Sequence, residues 1–159
     1  NTANALLTLY NSGARNILLL NLPDLGATPS LNTTPLAAGA TELSSSYNTY
    51  LATQLQLSGI TSLPGLNYYS LNVFEIMETI LNNPGVYGID NTTGYLTSLE
   101  ANPDLTYLFW DEIHPTTEAH ELIANFARET VAPVPEPATL LLLGSGLIGL
   151  AGLRKKYKK

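Results

Sequence analysis

The chain has 159 residues, enough for one domain with its own core, and no cysteine, which excludes disulfides, thiolate metal sites and a cysteine nucleophile. Its formal net charge is −6, yet five of its seven basic residues (Arg154, Lys155, Lys156, Lys158 and Lys159) cluster at the end, so residues 1–153 set two basic residues against thirteen acids, a net charge of −11. A body this acidic repels phosphate backbones and argues against a nucleic-acid partner.

The first residue is Asn1, inside an apparent helix, so the chain is expected to be a piece of a longer protein. Over residues 2–13, Leu6, Leu7 and Tyr10 recur at helical spacing, and Gly13 suits the helix end. "NILLLNL" (16–22) is a continuous apolar run, as in a parallel strand covered on both faces. "PDLGATPS" then reads as a turn. Its Asp24 is a carboxylate of the kind that bonds nearby loop amides; a second acid for a catalytic site is the other reading. A second helix is predicted over 38–58, with Leu43, Tyr47, Tyr50, Leu51, Leu55 and Leu57 as its apolar stripe. "LNYYSLN" (66–72) predicts a short strand. "VFEIMETILNN" (73–83) predicts a helix with Phe74, Met77, Ile80 and Leu81 on one face, ended by Pro84-Gly85. Residues 85–106 read as a long irregular connection, and "TYLFW" (106–110) as a short extended segment. A last helix is predicted over 115–131, with Pro115 in its first turn and Leu122, Ile123 and Phe126 buried. This alternation predicts an α/β layer structure around a parallel sheet. Sequons at Asn32 and Asn91 matter only in a eukaryotic secretory route.

Between the last strand and helix lies "FWDEIHPTTEAH" (109–120). A tight turn with Asp111 three residues before His114 can set a carboxylate beside the imidazole Nδ1. The carboxylate then fixes the tautomer and leaves Nε2 free to take a proton. The same residues also suit a simple helix start with a surface histidine, Thr116 and Thr117 satisfying first-turn amides. His114 and His120 are six apart and do not share a helix face, so no metal site is expected. His120 is read as a local packing or capping residue, Trp110 as packing under the loop, and Glu112 as pointing away from Asp111.

"VAPVPEP" (131–137) holds three prolines and reads as an extended linker. "ATLLLLGSGLIGLAGL" (138–153) is apolar and uncharged over sixteen residues. As a helix it would span ~24 Å, against ~30 Å for a bilayer's hydrocarbon core. The basic cluster 154–159 would hold its end on the cytoplasmic side. Pro135-Glu136-Pro137, the apolar stretch and the basic cluster together resemble the PEP-CTERM sorting signal of Gram-negative bacteria. That resemblance implies export, a transient membrane helix, and cleavage near the Pro-Glu-Pro by an exosortase-type enzyme, leaving the protein at the envelope, the surface or outside the cell.

"YLFWDEIHPTTEAHELIA" resembles the last conserved block of the GDSL, or SGNH, serine esterases and lipases. "LYNSGARNILLLNLPDLGATPS" (9–30) and "VFEIMETILNNPGVYGI" (73–89) resemble two earlier stretches of that family, in its order. The resemblance implies a three-layer α/β/α, flavodoxin-like fold over 1–131, incomplete at its N-terminus, followed by the linker 132–137, the helix 138–153 and the basic tail 154–159. It implies ester hydrolysis without metal or cofactor, with Asp111 as orienting acid and His114 as general base. The family's serine and oxyanion-hole motifs do not appear. Ser12 follows no Asp, and Ser145 lies in the apolar tail. The nucleophile is therefore expected upstream, and this piece alone is expected to be inactive. The substrate would be a lipid, a small ester or an acetylated polysaccharide. The alternative is a non-catalytic surface or exopolysaccharide-associated protein on the same fold.

Overall fold

The computed structural model describes residues 2–132. Helix α1 (Thr2–Asn11) leads to strand β1 (Asn16–Leu20), and Gly13 turns the chain between them at φ 103°, a conformation that favours glycine. Helix α2 (Ala37–Ser58) follows, then strand β2 (Asn67–Leu71), helix α3 (Val73–Asn82), strands β3 (Asn91–Tyr95) and β4 (Tyr107–Phe109), and helix α4 (Thr117–Val131). The expected α/β alternation is present. β1 runs parallel to β2, with Asn16 opposite Asn67 and Leu20 opposite Leu71. β3 runs parallel to β4 with a register irregularity. The four strands form these two pairs and not one continuous ladder.

Successive residues of a strand point to opposite faces, and β1 uses both. Ile17 and Leu19 join Leu6 of α1 and Leu55 of α2 in one apolar cluster. Leu18 packs against the larger cluster, where Val73, Ile76, Met77 and Ile80 of α3 meet Leu108, Phe109 and Ala119. The β1–β2 pair therefore lies between α1 and α2 on one side and α3 and α4 on the other, while β4 packs in the larger cluster with α3 and α4.

Four sequence expectations are corrected. Residues 85–106 are not wholly irregular: Pro84–Tyr87 form a 3-10 turn and Asn91–Tyr95 form β3. Pro115 stands outside α4, whose N-cap is Thr116; Pro115 instead bridges to Phe109. β1 is less covered than its sequence suggests, because among the described residues it pairs only with β2; Ile17 is buried but Leu20 is 45% exposed. The stripe of α2 is largely solvent-facing, with Leu43, Tyr47, Tyr50 and Leu57 exposed and Leu55 buried. Val131 and Ala132 of the expected linker are the last residue and the C-cap of α4, and the rest of the linker with the apolar and basic tail lies outside the described residues. Among the described residues no helix is long and apolar enough to cross a membrane.

The segment after β1 is fastened at both ends. Leu22 donates its amide to Asn48 and accepts from that side-chain amide, 2.8 and 2.7 Å, which ties it to α2. Buried Asp24 accepts from the Gly26 amide (2.8 Å) and the Thr41 hydroxyl (2.9 Å), the loop-bonding role expected of it. Gly26 approaches α2 so closely that a Cβ there would collide with the Ala37 carbonyl and Thr41. Further on, the Ser30 amide donates to the Glu112 carbonyl, 3.0 Å. The first loop thus reaches the Asp111–His114 turn.

Candidate active site

The turn after β4 closes on itself. The Trp110 amide donates to the His114 carbonyl, 2.7 Å. One Asp111 carboxylate oxygen accepts from the amides of Ile113 (2.8 Å) and His114 (2.7 Å). Its other oxygen lies 2.8 Å from His114 Nδ1. These amide bonds, with the imidazole contact after them, hold the Asp111 carboxyl well below its ordinary 3.8, at about 2. Asp111 is therefore ionised at neutral pH and can only accept. Nδ1 must carry the proton, which leaves Nε2 as the basic nitrogen. Among the described residues Nε2 makes no hydrogen bond, and the His114 side chain is 72% exposed. An imidazole held in this tautomer, base outward, can take a proton from a nucleophile placed against it.

Thr116 anchors the other end of the turn. Its hydroxyl is buried, donates to the Tyr107 carbonyl (2.8 Å) and accepts from the Ala119 amide (3.2 Å). Its own amide donates to the Leu108 carbonyl, 3.0 Å. One side chain thus caps α4 and locks it to β4, so His114 stands between two fixed elements. His120 donates from Nδ1 to the Thr116 carbonyl, 2.9 Å, the local role expected of it. Thr117 is the first residue of α4. Trp110 does not pack under the loop: it is 50% exposed, while its carbonyl accepts from the Thr97 amide and hydroxyl, 3.0 and 2.9 Å.

A shallow cleft of about 290 Å³ beside the pair is lined by Tyr95, Asp111, Glu112, Ile113 and His114. Sequence reasoning missed Tyr95, because β3 was not foreseen, and Ile113, because an exposed apolar residue in a turn gives no signal. Asp24 bonds Gly26 and Thr41 and takes no part in the pair. Among the described residues no serine hydroxyl bonds His114, and no group of three or more His, Cys, Asp or Glu could hold a metal ion.

The lowered pKa of Asp111 has a measurable sign. The carboxylate's hold on the turn is fully present above its ordinary 3.8 and is lost as pH falls through about 2. The Asp111 side-chain carbonyl ¹³C shift should titrate with a midpoint near 2. A midpoint near 3.8 would mean that the two amide bonds are not made.

Comparison with known proteins gives the family. Residues 1–127 match the model of the GDSL-like lipase/acylhydrolase family, and residues 133–156 match the PEP-CTERM protein-sorting motif. A GDSL esterase/lipase of Arabidopsis thaliana is 29% identical across 82% of this chain and 43% of its own length. A second GDSL esterase/lipase of Arabidopsis thaliana is 34% identical across 74% of the chain and 38% of its own length. Esterase EstA of Pseudomonas aeruginosa is 32% identical across 80% of the chain and 21% of its own length. The chain spans less than half the length of each of these relatives.

Proposed function

Because the chain belongs to the GDSL-like lipase/acylhydrolase family, we propose that it is the proton-handling part of an exported serine ester hydrolase whose nucleophile lies upstream of Asn1. The serine hydroxyl attacks the ester carbonyl while His114 Nε2 takes its proton. The imidazolium returns that proton to the departing alcohol. Water, deprotonated by the same nitrogen, then releases the acid and restores the serine. Asp111 holds the tautomer and steadies the imidazolium. No metal or cofactor enters this sequence of steps.

The observation that carries the reading is the 2.8 Å bond between Asp111 and Nδ1, with Nε2 left open. It favours the enzyme over a non-catalytic surface protein on the same fold, since a retired site has no need of a tautomer fixed by an ionised carboxylate. The domain would occupy 1–131, and 132–137 would be the linker. The apolar stretch 138–153 would cross the inner membrane with 154–159 inside, until an exosortase-type enzyme cuts near Pro135-Glu136-Pro137.

A serine-directed fluorophosphonate tests this directly. The full-length protein should be labelled at a single serine upstream of Asn1. The isolated 1–131 piece should take no label and hydrolyse p-nitrophenyl acetate no faster than buffer. Label on a serine within 1–131, with turnover abolished by His114→Ala, would replace the upstream nucleophile by an internal one. No label on the full-length protein would remove the serine mechanism.

A further inference from the structure

Behind the Asp111–His114 turn is a second, more sheltered space of about 130 Å³. It lies between α3, β4, α4 and the loop after β1, and its walls include Pro23, Met77, Phe109, Ile113, Pro115 and Ile123. Every other lining side chain is also apolar except Thr28, whose hydroxyl donates to the Leu25 carbonyl at 2.6 Å and also bonds the Ser30 hydroxyl at 3.1 Å. No charge lines the space, so an anionic or hydrogen-bonding group would lose its water and gain nothing. Ile113 and Pro115 are the residues on either side of His114, and Ile113 also lines the open cleft that holds the Asp–His pair. The apolar space and the open cleft of the base thus share Ile113 as a wall, which sets the two side by side.

We infer that this space receives the acyl chain of the ester and limits it to short chains, of about four or five carbons. The inference rests on the esterase reading and adds the substrate class to it. The size follows from the volume: an engineered cavity of ~150 Å³ lined by Leu, Ile and Phe stays dry and holds benzene, a six-carbon ring. A space of 130 Å³ takes slightly less. A longer chain would press on lining residues such as Ile80 and Ala119, which are fully packed in the core.

The test is the full-length protein with p-nitrophenyl esters from acetate to dodecanoate, kcat/KM being read for each. The profile should peak at butanoate or pentanoate and fall at least tenfold by octanoate. Ile123→Ala, which lengthens the space from a half-buried wall, should raise the octanoate-to-butanoate ratio about tenfold. Ile113→Trp, at the exposed mouth and without risk to the core, should lower butanoate relative to acetate. Turnover with a flat profile, or with a maximum at decanoate or beyond, would overturn the acyl pocket and leave the esterase reading standing. That result would also assign the space to packing by the upstream part of the protein. Failure to turn over any ester, acetate included, would instead fall on the esterase reading and take the pocket with it.

Discussion

Replacing His114 with alanine in the full-length protein is expected to lower kcat by on the order of 10⁶, as loss of the general base does in a well-studied serine protease. Asp111→Asn should lower it by about 10⁴ with the fold intact. The second substitution is the more informative, because the geometry separates the two jobs of the carboxylate. An asparagine carbonyl can still accept from the Ile113 and His114 amides, which now bond one Asp111 oxygen at 2.8 and 2.7 Å. The turn should therefore persist. The amide nitrogen, however, would face Nδ1 where an acceptor stands now, at 2.8 Å. Two donors repel, so the imidazole shifts its proton to Nε2 and can no longer take one from the serine. Circular dichroism should be unchanged while single-turnover acylation collapses. Wild-type turnover in Asp111→Asn would show that the carboxylate does not set the tautomer.

Phe109→Ala is expected to destabilise the domain by about 3–5 kcal/mol, the usual consequence of emptying a buried aromatic site. Phe109 is 3% exposed and packs in the larger apolar cluster. Its backbone also joins three segments: its carbonyl accepts from the Leu96 amide at 3.0 Å, and it bridges Pro115. Against a total stability of about 5–15 kcal/mol, such a loss leaves little margin. The urea midpoint should fall sharply with the slope unchanged. The neighbouring Trp110→Ala should change the stability by no more than about 0.5 kcal/mol, since that side chain is half exposed. Equal effects of the two substitutions would mean that the aromatic pair is packed differently.

Much of this was legible in the sequence, for reasons that differ by residue. α3 was legible as a helix, since its apolar periodicity and its stop at Pro84 lie within the local pattern, but its buried face carries Val73 and Ile76 beside Met77 and Ile80, where Phe74 and Leu81 were expected. The Asp111–His114 pair was legible because its members are three residues apart and the turn that joins them is made by their own backbone. Asp24 was legible for the same reason. Periodicity gave α2 as a helix but not the face that the rest of the protein covers, so Leu43 and Tyr50 read as core and stand exposed. β3 was hidden because Asn91 and Gly94 are poor strand residues; the Asn91 side-chain oxygen Oδ1 accepts from the Thr93 and Gly94 amides and shapes the segment locally. The start of α4 was read two residues too early, at Pro115, since Thr116 takes the capping role and the helix begins at Thr117. The apolar space beside His114 had no sequence signal at all. Pro23, Met77, Ile113 and Ile123 come from four segments and meet only in three dimensions.

The carboxylate, the imidazole and the two amides that hold them lie within four consecutive residues. Such a device forms with almost no loop-closure entropy and needs no long-range register to be correct. Its internal alignment should survive breathing of the surrounding layers, on any timescale short of melting the turn. In the proposed mechanism the slack then resides elsewhere, in the distance from Nε2 to the attacking hydroxyl. Evolution or an engineer could tune that single gap, and with it the turnover rate, without disturbing the acid–base unit.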